Sequence, residues 1–188
     1  MAVKPQMPED ILGFWFATGM SEKWFAGGEE FNTQVRERFG QALDDASSGG
    51  LDGWKDTIEG RLALVIVLDQ FSRNIHAGDR QAYASDAEAL SLAGTALRMG
   101  DDIWLKTYRP DDWRTFLYLP FMHSEVLEDQ RRCLDLYEMH GPDHGIAPAR
   151  HHLDIIARFG RFPHRNAVLG RESTPEELAF LSVKDTAA

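Results

Sequence analysis

Apolar residues return at helical intervals along most of this chain, and that period confines it to packed α-helices. Phe31, Val35, Phe39, Ala42 and Leu43 fall at i, i+4, i+8, i+11 and i+12, one face of a helix expected over about residues 29–46. Ser47-Ser48-Gly49-Gly50 closes it as a loop. Ile58, Leu62, Val65, Ile66 and Asp69 share one face of the next segment. Val65-Ile66-Val67 is built from strand-forming residues, yet the surrounding length and period favour a central helix, apolar all round.

Beyond the break at Ala77-Gly78-Asp79, a helix is expected over about 81–99, with Gly100 just past its end. Trp104 to Asp112 reads as irregular. A further helix is expected over 120–140, with Pro120 in the first helical position, and another over 147–159, closed by Gly160. Thr174-Pro175-Glu176-Glu177 has the pattern of a capping box with proline leading a last short helix. The class is therefore all-α: antiparallel helical hairpins on short loops, packed as a bundle or short solenoid, without a repeat at the tetratricopeptide period. A chain of 188 residues suits one domain, 1–188, with a core from about 8 to 181 and frayed tails up to Gln6 and from Ser182. Trp15, Trp24, Trp54, Trp104 and Trp113 suggest a core anchored on large aromatics.

Charge and cysteine usage exclude several functions. A net charge of −10 is the wrong sign for gripping phosphate backbones, so nucleic acid is not an expected partner. The longest apolar run, Leu62 to Leu68, is too short to span a bilayer, and no signal-peptide core is visible near Met1. A single cysteine, Cys133, leaves no disulfide and no cysteine-based zinc site, and it sits among Leu134, Leu136 and Tyr137 as packing would require. A cytoplasmic protein is expected. Neither a dinucleotide fingerprint nor a phosphate loop nor a nucleophile elbow is present, and no spacing supports a metal or a cofactor.

Three polar blocks stand out against this acidic background. Arg158-Phe159-Gly160-Arg161-Phe162-Pro163-His164-Arg165-Asn166, running on to Arg171, holds four arginines and a histidine with no acid before Glu172. Guanidinium forks match carboxylates and phosphates, so this run should either pair with buried acids or hold an anion. In Asp69-Gln70-Phe71-Ser72-Arg73-Asn74, Asp69 meets Arg73 and Gln70 meets Asn74 at i,i+4, and Asp69 faces the interior, where it needs a partner. In the third block, His123, Leu127 and Gln130 share a helical face, whereas Glu125 lies on the opposite side. His152 shares a face with Ile155, Ile156 and Phe159 and so points inward, and Asp86 is a carboxylate in an alanine-rich helix.

These residues also carry a resemblance. Asp69-Gln70-Phe71-x-Arg73-Asn74, Pro120-x-x-His123-Ser124-Glu125 and the Arg158 to Asn166 block with Leu169-Gly170-Arg171 resemble the bacterial family catalogued as domain of unknown function nine hundred and twenty-four. Trp15-Phe16, Trp24-Phe25, Asp86 and Ser173-Thr174-x-Glu176-Glu177 add to the match, which spans about Ile11 to Leu181. The resemblance implies an all-helical, tetratricopeptide-like fold and brings no reaction, substrate or cofactor.

The functional expectation is a site for a small anionic ligand bearing phosphate or carboxylate, with catalysis an open question. Arg73, Asn74, Arg158, Arg161, Arg165, Asn166, Arg171, Gln70 and His152 are the candidate binding residues. His123 and His164 are the candidate acid–base groups, with Asp69 or Glu125 to orient them. The alternatives are a helical peptide- or protein-interaction module and a buried polar network that only specifies helix packing. Oligomeric state is not legible.

Overall fold

The apolar stripes close on one another in a computed structural model that describes residues 6–185. Helix α1 (Pro8–Trp15) delivers Trp15 to an aromatic cluster, its ring 5.4 Å from Phe71 and 5.5 Å from Phe116. Helix α2 (Gly28–Ser47) turns Phe31, Val35, Phe39, Ala42 and Leu43 inward, all buried, as the period predicts. Helix α3 (Ile58–Val65) continues through a π-helical segment (Ile66–Phe71) into α4 (Ser72–Ile75). This rod is the centre of the molecule. Every residue from Leu62 to Phe71 is buried, and α1, α2, α5 and α7 pack around the rod.

The remaining helices are α5 (Asp86–Arg98), α6 (Asp101–Tyr108), α7 (Asp112–Met122), α8 (Leu127–Met139), α9 (Ile146–Phe159) and α10 (Pro175–Asp185). Helices α7 and α8 pair, as do α8 and α9. No strand occurs among the described residues, so the fold is all-α. A second, smaller apolar cluster (Ile155, Ile156 and Phe162) gathers Leu127, Phe159 and Phe180 beside the main core. Glycines mark the ends as expected: Gly100 (φ 80°) and Gly160 (φ 69°) take the left-handed conformation that stops a helix without a Cβ clash.

Three segments differ from the sequence reading. Pro120 does not open a helix; it lies near the end of α7, and the expected helix over 120–140 is instead α7, a break, and α8. All residues from Arg114 to Met122 are buried, so packing holds helical backbone through a proline that local preference would place at a start. The stretch read as irregular is largely α6, whose first-turn Asp101 is held by Arg61 in a buried two-pronged ion pair at 2.6 and 2.7 Å. The helix expected from residue 81 begins at Asp86, after a 3-10 turn (Arg80–Tyr83) in which the Asp79 side chain accepts from the Gln81 amide at 2.8 Å. At the C-terminal end, α10 runs to Asp185, past the expected fraying point at Ser182; the fraying expected before Gln6 lies outside the described residues.

Candidate functional site

The π-helical segment decides where the polar groups go. Its wide turn buries two consecutive polar residues, Asp69 and Gln70, which a regular helix with one apolar stripe would not do. Asp69 then needs compensation on all sides. It receives Gln70 Nε2 at 2.6 Å, Arg73 Nη1 at 2.9 Å and His123 Nδ1 at 2.8 Å. Burial alone would raise the Asp69 carboxyl, but Arg73, His123 and Gln70 outweigh it and hold the group far below the ordinary carboxylate range. Asp69 is therefore an anion at neutral pH.

An anion at Nδ1 fixes the imidazole of His123. The Nδ1 proton is donated to Asp69, which leaves the lone pair on Nε2, and no hydrogen-bond partner meets Nε2 among the described residues. Burial, followed by the charge of Arg73, pushes the His123 pKa below its ordinary value despite Asp69. The ring is neutral at neutral pH. A neutral imidazole with an orienting carboxylate behind it is a ready proton acceptor.

Arg73 bridges Asp69 to Asp86 on α5, reaching Asp86 Oδ1 at 3.0 Å. Burial raises the Asp86 carboxyl above its usual value, more than Arg73 offsets, and the Asp69 charge adds to the rise. Arg165 is different. Its side chain is only 8% exposed, yet its guanidinium makes no hydrogen bond within the described residues. The carboxylate within ion-pair reach, Asp86, stands 3.5 Å away, beyond normal hydrogen-bond length. The cation lies over the rings of Tyr83 (4.6 Å) and Phe162 (4.5 Å), contacts that hold its plane without using its donors. Burial and then the neighbouring Arg73 charge lower its pKa, the signature of a cation short of partners.

Arg165, His123 and Asp86 face a cleft of about 420 Å³, walled also by Tyr83, Ser124, Glu125 and Asp129. His123 also lines a second, more apolar hollow of about 280 Å³, together with Phe25, Leu119, Met122, Tyr137 and His152. The three polar blocks, far apart in the chain, thus meet around one ring.

The other predicted residues are placed elsewhere or already engaged. Glu125 does not sit on a helix opposite His123; both lie at the break between α7 and α8, and Glu125 reaches into the cleft wall. It is gripped by Arg171 at 2.7 and 3.0 Å and by the Phe162 amide at 2.8 Å. Arg161 forks onto Glu177 at 2.6 and 2.8 Å, and Arg158 onto Glu176 at 2.7 Å, so both brace α10. Asn166 donates to Ser173 and Glu177, completing the same brace. The capping box is formed as read, with Thr174 N on Glu177 Oε2 at 2.7 Å and Glu177 N on Thr174 Oγ1 at 3.2 Å. Asn74 bonds Asn32 of α2 rather than Gln70. His152, half-buried, has Nδ1 2.9 Å from the Pro148 carbonyl, and His164 is exposed beside Phe162. Cys133 is fully buried, and burial pushes its thiol up to about 12.

Sequence reasoning missed Tyr83 and the apolar hollow, and gave Asp86 no role. The one available signal was Asp79, whose side chain caps the 3-10 turn that brings Tyr83 and Asp86 over the cleft. Among the described residues no cluster of three or more His, Cys, Asp or Glu is placed to hold a metal ion, and no helix is long and apolar enough to cross a membrane.

Fold and site together define an all-helical protein with a polar cleft organised on an Asp–His pair and a buried arginine. The chain belongs to the family described as bacterial protein of unknown function (DUF924), whose model matches residues 11–185. It is similar to the solved structure of a protein of unknown function from Agrobacterium tumefaciens, at 41% identity and a TM-score of 0.85 over 93% of this chain and 96% of that one. No curated protein matches it.

Proposed function

We propose that the cleft binds a small anion, held by Arg165 and presented to His123. The observation that carries this reading is Arg165: its buried Nε has no hydrogen-bond partner among the described residues and Asp86 stands 3.5 Å from Nη1, so an anion in the adjoining space would supply acceptors. Arg73 reinforces the local positive potential, although its own donors are committed to Asp69 and Asp86. Arg158, Arg161 and Arg171 act as braces with acids of this same chain.

The Asp69–His123 pair favours a second, stronger version in which the bound anion also reacts. His123 Nε2 would accept a proton from the ligand or from a water beside it, and Asp69 would steady the imidazolium that results. A cytosolic location and a tetratricopeptide-like stacking of the hairpins are compatible with this reading.

The test is a thermal-shift screen of the whole chain against small carboxylates and phosphates. A ligand that prefers the native state raises the melting temperature, and Arg165→Met should abolish that rise. If no anion stabilises the protein, or if Arg165→Met responds as the parent does, the reading is wrong.

A further inference from the structure

Charge balance narrows the kind of anion. Four carboxylates (Asp69, Asp86, Glu125 and Asp129) stand at or just behind the cleft wall, against three guanidiniums (Arg73, Arg165 and Arg171). With the acids outnumbering the cations, a doubly charged phosphate would meet more repulsion here than a singly charged group. The Arg165 guanidinium, over two rings and 3.5 Å from Asp86, matches one planar, singly charged group. A carboxylate is such a group.

The apolar hollow says what is attached to it. Phe25, Leu119, Met122, Tyr137 and Pro148, with Thr115, His144 and His152 among them, line a space that shares the His123 side chain with the cleft. Such a space gains by taking up apolar surface, and its volume of about 280 Å³ suits a short chain or a single ring rather than a long lipid tail. Phe25 is 70% exposed on the wall of this hollow, where an occupant would cover it.

We propose that the ligand is an amphiphilic carboxylate, its head on Arg165 and a short apolar tail lying past His123 in the hollow beside Phe25. The proposal rests on the anion-site reading and adds the tail and the charge state.

Calorimetric titration of the full chain with acetate, butanoate, hexanoate and octanoate tests it. Affinity should rise by about fourfold per methylene, the ordinary gain for burying a methylene, until the hollow is full. Arg165→Met should lose the whole series. Phe25→Ala, at an exposed position, should flatten the rise while leaving acetate unchanged. Hexanol binding as well as hexanoate would overturn both readings, because the charge would then contribute nothing. Equal affinity along the series or an unchanged slope in Phe25→Ala would overturn the amphiphilic carboxylate and leave an anion site standing. Binding of inorganic phosphate with no carboxylate bound would do the same. If neither carboxylates nor phosphate bind, both readings fall together.

Discussion

His123 donates its Nδ1 proton to Asp69 at 2.8 Å, joining the α7–α8 break to the central rod. Asp69 is 1% exposed and also answers for Arg73, so its charge is a structural requirement as much as a chemical one. Asp69→Asn removes that charge and leaves Arg73 with Asp86 as its carboxylate partner, beside the backbone carbonyl of residue 69. Breaking a buried pair from one side typically costs about 3–5 kcal/mol. Urea unfolding should register a loss in that range, and a loss under about 1 kcal/mol would show that Asp69 is not the hub described.

Protonation follows from the same contact. The folded-state pKa of His123 lies below the unfolded imidazole value of about 6.5, so the unfolded chain takes up the proton first as pH falls. Stability contributed by neutral His123 is complete above about pH 6.5 and declines as pH drops from there through the folded value. Asp69, also depressed, adds its own loss at lower pH, starting as pH falls through the ordinary aspartate value of about 3.9 and continuing toward its lowered folded value. Melting temperature scanned downward from pH 8 should begin falling near pH 6.5 in the parent. His123→Asn should remove that first decline and keep the acid one. An identical upper limb in both proteins would contradict the neutral-histidine assignment.

Cys133 offers a simpler check on the core. It is enclosed between α7 and α8, its sulfur 3.7 Å from the Tyr118 carbonyl, and burial holds it as a thiol with a pKa pushed up to about 12. Thiolate is the reactive form. Native protein should resist alkylation at neutral pH, and label should enter at the rate of unfolding. Fast native labelling would mean that α8 opens far more readily than its packing implies.

Most of the architecture was legible because it obeys one period. The inward face of α2, the capping box at Thr174 and the glycine stops at Gly100 and Gly160 are local rules that tertiary packing left intact. The failures lie where packing overrode a local preference: Pro120 inside α7, and α6 stabilised by an Arg61–Asp101 pair that closes across 40 residues. The site was legible in membership more than in division of labour. All four arginines of the 158–171 run look equivalent in one dimension. Only the fold reveals that the reciprocal acids of α10 and Glu125 claim three of them and leave Arg165 against aromatic rings. Residue spacing placed Asp69 inside, but nothing in it could announce the π-helical turn that carries Asp69 and Gln70.

That division of labour makes the sharpest prediction. Arg161 and Arg165 lie one helical turn apart in sequence but serve different partners. Arg161 neutralises Glu177, a nearly fully buried carboxylate held down to about 2 by Arg161 and by the Thr174 amide, and through it ties α10 to the loop that carries the cleft wall. Arg161→Ala should lower the melting temperature and speed hydrogen exchange in α10, while the remaining folded protein keeps its response to carboxylates. Arg165→Met keeps the apolar stem between Tyr83 and Phe162 and removes a desolvated cation whose contacts among the described residues are the 3.5 Å ion pair to Asp86 and the two rings. It should leave the melting temperature of the ligand-free protein equal to the parent's or above it, because relieving a desolvated charge is favourable. If Arg165→Met unfolds the protein as severely as Arg161→Ala does, Arg165 is one more brace and the cleft has no cation to offer a guest.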